Sequence, residues 1–144
     1  MIRVVKKEEL EKVAELAHMM WLDSDIEDLT EEFDKLIESD EAVIFVAVKK
    51  EQIIGFAQCQ LRNDYVEGTD SSPVGYLEGI FVKEEFRNQG YAKYLLKKCE
   101  KWSKEKGCDE FASDCEFTND TSLKFHLKVG FEEANRIICF TKKL

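Results

Sequence analysis

Residues 86–93, Phe-Arg-Asn-Gln-Gly-Tyr-Ala-Lys, fall between the apolar run YLEGIFV (76–82) and the helix-like run YLLKKCEKW (94–102). A strand that feeds a helix through a Gly-containing turn brings several backbone N–H groups to one place. Those groups are the unpaired donors of the helix start, and the helix dipole adds partial positive charge there. Such a junction binds phosphate without many basic side chains. Gly90 permits close approach, Ala92 keeps the next contact small, and Arg87 can pair with an acid or a phosphate. A second residue with chemical content precedes it. Glu78 puts a carboxylate inside an apolar strand, which is costly without a partner.

The elements that must hold these groups follow from periodicity. IRVV opens a short first strand, and Leu10, Val13, Ala14, Ala17 and Trp21 keep helical spacing over 8–21. Asp28 with Glu31 resembles a capping box for a second helix that buries Phe33, Leu36 and Ile37. AVIFVAV (42–48) and IIGFAQCQLR (53–62), joined by polar KKEQ, predict a hairpin. A polar loop (63–73) holds the only proline, and strand 74–82 follows. A helix over 90–106 ends at Gly107, strand 109–115 follows, and a helix over 119–129 closes at Gly130. RIICFTKKL (136–144) reads as a last strand. The order β-α-α-β-β-β-α-β-α-β predicts an α/β (α+β) domain spanning 1–144, a mixed sheet with helices on both faces.

Charge and composition narrow the function. The net charge of −9 disfavours a nucleic-acid partner, which wants a basic face. The whole imbalance sits in residues 23–41, where ten acids face Lys35 alone. That segment reads as a solvated helix face, or as a rim that steers in a cationic ligand. No apolar run approaches the ~20 residues that span a bilayer, and MIRVVKKEEL lacks a signal-peptide core, so a cytoplasmic protein is expected. Five cysteines without a C-x-x-C pair argue against a disulfide framework and against a metal site.

Arg-Asn-Gln-Gly-Tyr-Ala after LEGIFVKEEF resembles the Q/R-x-x-G-x-G/A signature of the GNAT acetyltransferase superfamily, and the predicted element order resembles that family's over the whole chain. The resemblance implies a GNAT fold, mostly antiparallel in its sheet. It implies that the amides around Arg87, Asn88, Gln89, Gly90, Tyr91, Ala92 and Lys93 cradle the pyrophosphate of acetyl-CoA. It also implies main-chain bonds from Ile80, Phe81 and Val82 to the pantetheine arm, and a cofactor contact from Asn119. YVEGTDSSPVGYLEGIFV, EFASD and GFEEANRIICFTKK are similar to one branch of the aminoglycoside 6′-N-acetyltransferases, about a quarter of the chain. In that branch, residues matching Trp21, Tyr65, Glu78 and Asp114 line the antibiotic site, and Asn135 stands where a further carboxylate is expected. The branch also implies a homodimer, to which the final strand can contribute.

Acetyl transfer to an amine needs a deprotonated nucleophile and a stabilised oxyanion, the latter from a main-chain N–H such as that of Ile80 or Val82. Asp114 and Glu78, at the ends of neighbouring predicted strands, are the candidate anchors and proton acceptors, with Asp114 favoured. His126, four residues before Gly130, is a candidate proton donor to the leaving thiolate, or a helical histidine that simply packs. Trp21 and Tyr65 suit the apolar faces of sugar rings; Trp21 equally completes the buried stripe of the first helix. The same acids would suit a polyamine or a protein amine as acceptor. A non-catalytic acyl-CoA sensor would have no use for two acids beside the thioester.

Overall fold

The computed structural model describes residues 1–144. Five strands form one sheet in the order β1 (Ile2–Val4), β2 (Ala42–Lys49), β3 (Gln52–Arg62), β4 (Val74–Val82) and β5 (Phe111–Ser113). Every pairing is antiparallel except β4 with β5, which is parallel. Four helices, α1 (Leu10–Met20), α2 (Ile26–Leu36), α3 (Tyr91–Glu105) and α4 (Asp120–Lys128), complete the domain.

Alternation along β2 assigns the helices to faces. Ile44 and Val46 point to one side, where Val13 and Ala17 of α1, Phe33 of α2 and Phe56 of β3 close a core. Val43, Phe45 and Ala47 point to the other side and meet Leu95, Leu96 and Cys99 of α3, with Phe125 of α4 packed at its margin. The β2–β3 hairpin turns in two residues, Lys50 and Glu51, both at positive φ (49° and 66°), as a type I′ turn demands. Glu27, Asp28, Glu31 and Glu32 of α2 are exposed, Asp34 is half-buried, and its buried residues are Leu29 and Phe33.

Four expectations are revised. The first helix begins with a 3-10 turn at Lys7–Glu9, so its α-helical part is shorter than 8–21. The second helix is capped by Asp25, whose side chain accepts from the Glu27 N–H at 2.7 Å; Asp28 lies inside the helix. The strand over 109–115 contracts to three residues. The last strand does not form. Beyond Phe131 no residue joins a backbone–backbone hydrogen bond, and Ile138 and Phe140 are 81% and 88% exposed. The periodicity of RIICFTKKL reports a preference for extended chain, but a strand also needs an edge to pair with. The chain folds no such partner onto its own tail.

Candidate active site

The site is organised by two irregularities in β4. Gln58 pairs with Gly79 and Cys59 with Leu77, so Glu78 is the extra residue of a β-bulge. On the other side, β4 pairs with β5 only from Gly75↔Phe111 to Leu77↔Ser113. From Glu78 to Val82 the strand is therefore held by β3 alone, and its far edge opens into a split.

Which groups face the split follows from alternation. The Lys83 N–H donates to Ile54 of β3 at 2.8 Å, so the main chain of Phe81 also points to β3 and that of Ile80 and Val82 points away. Of the three residues expected to meet a pantetheine arm, Ile80 and Val82 are placed to do so. Phe81 is not, because its backbone faces β3 and its side chain packs on the α1–α2 core. Arg87 already uses part of this edge: its Nε donates to the Val82 carbonyl at 2.8 Å, with the guanidinium 5.2 Å from the Phe81 ring centroid. Ile80 N–H and C=O and the Val82 N–H are left for a ligand.

The strand then runs through Asn88 and Gly90, at φ of 62° and 90°, into α3. Gly90 is the N-cap and brings no side chain to satisfy the first turn. The N–H groups of Tyr91, Ala92 and Lys93 therefore project from the helix start without an intrahelical acceptor, while Tyr94 N–H bonds the Gly90 carbonyl at 3.0 Å. An exposed concavity of amides at a helix N-terminus fits a pyrophosphate. Asn119 caps α4, its Oδ1 accepting from the Ser122 N–H at 3.0 Å, which leaves the Nδ2 amide for a ligand.

At the other end of the split, Glu78 has the partner its burial requires. Arg62 grips it through Nη2 at 2.6 and 3.0 Å and Nε at 3.1 Å, leaving the Glu78 side chain 16% exposed. The same guanidinium lies 3.4 Å from the centroid of Tyr76, and the Tyr76 hydroxyl donates to Asp114 Oδ2. Hydrogen bonding to Glu78 raises the Arg62 pKa, and burial, with the Asp114 bond second, raises that of the Tyr76 phenol. Trp21, at the C-terminus of α1, lies against Gly79 beside this group.

A cleft of about 670 Å³ runs along β5, with Arg62, Tyr65, Tyr76, Asp114, His126 and Asn135 in its walls. Tyr65 is 77% exposed, and Asn135 donates to Glu67 Oε1 at 3.3 Å. The structure thus brings Glu78, Asp114 and Trp21 to one end of the split, with Tyr65 and Asn135 across the cleft. His126 is engaged at both nitrogens. Nδ1 lies 2.7 Å from the Ser122 carbonyl, which can only accept, so Nδ1 carries a proton; Nε2 lies 2.8 Å from Ser113 Oγ, which also reaches the Leu77 carbonyl at 3.3 Å. The ring also packs against Phe131 with centroids 5.0 Å apart. This geometry ties α4 to β5 and commits both ring nitrogens to partners within the protein. Arg62 and Tyr76 were missed in the sequence. The signal for Arg62 was available: a carboxylate in an apolar strand calls for a cation, and this one ends the neighbouring strand.

The chain matches the model of the acetyltransferase (GNAT) family over residues 10–131. It is 39% identical to the aminoglycoside N(6′)-acetyltransferase type 1 of Salmonella enteritidis, covering 99% of this chain and 98% of that one. With the enzyme of the same name from Acinetobacter haemolyticus the identity is 35%, over 99% and 98% of the two chains. Its fold superposes with a TM-score of 0.95 on AAC(6′)-Iy in complex with the bisubstrate analog CoA-S-monomethyl-acetylneamine, at 38% identity and with 100% and 98% of the chains covered.

Proposed function

The chain belongs to the GNAT acetyltransferase family, and on that premise we propose that it is an acetyl-CoA-dependent aminoglycoside 6′-N-acetyltransferase. The observation that carries the reading is the split of the sheet. One opening holds an unpaired β4 edge leading to an uncapped helix N-terminus, and Glu78 and Asp114 stand where that edge begins.

The residues present fit the coenzyme. The Tyr91, Ala92 and Lys93 amides, shaped by Asn88 and Gly90, would hold the pyrophosphate, with Gln89 in the same turn and Asn119 offering its side-chain amide from the start of α4. Ile80 and Val82 pair with the pantetheine arm as an added strand would, and Arg87 fixes the end of β4. When bound, acetyl-CoA supplies a thioester whose carbonyl carbon gains a C–N bond as its C–S bond breaks. Ile80 N–H, open to the split, donates to the carbonyl oxygen as negative charge grows there. Glu78 anchors the amino sugar and Asp114 takes the proton that the amine sheds, passing it to water, to which Asp114 is exposed. Trp21, Tyr65 and Asn135 orient the rings. Holding both reactants in line supplies about 7–11 kcal/mol of the barrier reduction.

The assembly proposed is a homodimer, supported by an apolar tail whose backbone joins no ladder within its own chain and whose Ile138 and Phe140 are exposed. A cytoplasmic setting suits an enzyme that consumes acetyl-CoA and keeps five free cysteines. No helix is long and apolar enough to cross a membrane.

Thiol release from acetyl-CoA tests the reading, with kanamycin, spermine or a lysine peptide as acceptor. Turnover with kanamycin far above the others is expected. Comparable rates with the peptide or spermine would move the enzyme to another acceptor class, and binding without release would make it a sensor.

A further inference from the structure

The two acids at the split are treated differently by their neighbours. Glu78 accepts three hydrogen bonds from one guanidinium, spread over both its oxygens. Asp114 accepts a single protein hydrogen bond, from the Tyr76 hydroxyl to Oδ2, and its Oδ1 is free. We infer that Arg62 and Tyr76 are positioning residues of the acetyl transfer: Arg62 withdraws Glu78 from proton transfer, and Tyr76 holds Asp114 as the proton acceptor. This rests on the acetyltransferase reading above.

The chemistry follows from donor and acceptor counts. A carboxylate that accepts from one guanidinium at both oxygens has few directions left from which to receive a proton. With three bonds already accepted, Glu78 keeps one lone pair, enough to orient a single N–H of the acceptor. Asp114 is the first residue beyond β5 and is exposed, and Tyr76 is the one residue that hydrogen-bonds its carboxylate. Tyr76 is itself 6% exposed and fixed beneath Arg62, so its hydroxyl is a stationary donor. Burial and the neighbouring acid both keep that phenol protonated. In the step itself the neutral amine nitrogen bonds the thioester carbon as its C–S bond breaks; coenzyme A leaves as the thiolate, and the one proton the nitrogen sheds goes to Asp114 Oδ1, from which water removes it. Tyr76 keeps its own proton and Arg62 keeps its charge. Arg62 and Tyr76 also make one unit, so each fixes the other's position.

The test is a double-mutant cycle. Tyr76→Phe keeps the ring and removes only the hydroxyl. It is expected to lower kcat about tenfold with the KM for acetyl-CoA unchanged, and to add less than about twofold in an Asp114→Asn background. A penalty of equal size in both backgrounds is what a merely structural role produces, and would overturn the Tyr76 assignment. For Arg62, the Arg62→Gln variant is expected to lower kcat about tenfold with the KM for acetyl-CoA unchanged, and Arg62→Lys, which keeps a cation beside Glu78, to recover most of that loss. An Arg62→Lys variant no better than Arg62→Gln, in a protein that still folds by circular dichroism, would overturn that half. A proton NMR spectrum of the free protein removes the dependence on turnover. A Tyr76 hydroxyl resonance that disappears in Asp114→Asn supports the contact, and its absence from the wild type refutes it. If kanamycin is not acetylated, the aminoglycoside reading fails alone, and the cycle is read with whichever amine is.

Discussion

The indole of Trp21 lies across Gly79 so closely that a Cβ at Gly79 would come within 2.8 Å of Cζ2 and 2.9 Å of Cη2. The ring packs with the α1–α2 core, and its contact with Gly79 sets it one residue along β4 from Glu78. Gly79→Ala is expected to displace the indole and to cost about 1–3 kcal/mol of stability by overpacking. Steady-state kinetics should show KM for the aminoglycoside rising severalfold while KM for acetyl-CoA stays put. An unchanged aminoglycoside KM would detach Trp21 from the acceptor site.

Gly90 tests the coenzyme end in isolation. No heavy atom lies closer than 3.2 Å to a Cβ there, so Gly90→Ala is limited by backbone strain at φ +90° and not by a clash. A left-handed residue with a Cβ costs about 1–2 kcal/mol. Relief of that strain would rotate the amides that follow. Calorimetry should find coenzyme A binding about tenfold weaker in this variant, with aminoglycoside affinity in the binary complex preserved. Unaltered coenzyme affinity would move the phosphates elsewhere.

How far the sequence was legible follows the range of each interaction. Helices α3 and α4 and strand β4 fall within a residue or two of their expected bounds, because their periodicity and their Gly107 and Gly130 terminators are local. That Glu78 needs a cation nearby was legible, yet the pairing geometry that brings Arg62 to it was not. It depends on the register in which Arg62 faces Val74 and on a bulge at Glu78, and both are set by β3–β4 pairing. The same reasoning covers Phe81. Alternation fixes that two of three consecutive residues face one edge, but only the Lys83–Ile54 bond says which. His126 was ambiguous because its two partners come from α4 itself and from β5.

A surface ion pair gives the protein a predictable acid response. Arg3 donates to Glu9 through Nη1 and Nη2 at 2.9 and 2.6 Å, and this bonding brings the Glu9 pKa down to about 2. The folded value lies below the unfolded one, so the contribution is full above the ordinary glutamate range and is lost as pH falls from about 4.5 through about 2. With both groups partly solvated, it is worth about 1 kcal/mol. Glu9→Gln should lower Tm by about 3–4 °C at pH 7 and by progressively less toward pH 2. A gap between variant and wild type that stays constant over that window would show that the pair carries no such linkage.

Ile137, Ile138 and Phe140 are exposed on a segment with no backbone ladder, and the sheet ends at β5 with no strand beyond it. Unpaired edge and unpaired apolar chain are each unfavourable alone in water, and joining them across two copies removes both costs. A stable dimer needs roughly 1,200–2,000 Å² of buried surface, more than a short stretch of three side chains buries, so both tails and the Phe117 and Leu127 surface must take part. Ile138→Asp places a charge at the centre of that contact while touching no bond inside the chain. Light scattering after size exclusion should report a dimer for the wild type at micromolar concentration and a monomer for the variant, with the helical circular dichroism of the two alike. A wild type that elutes as a monomer would leave the tail without its partner and reject the dimer.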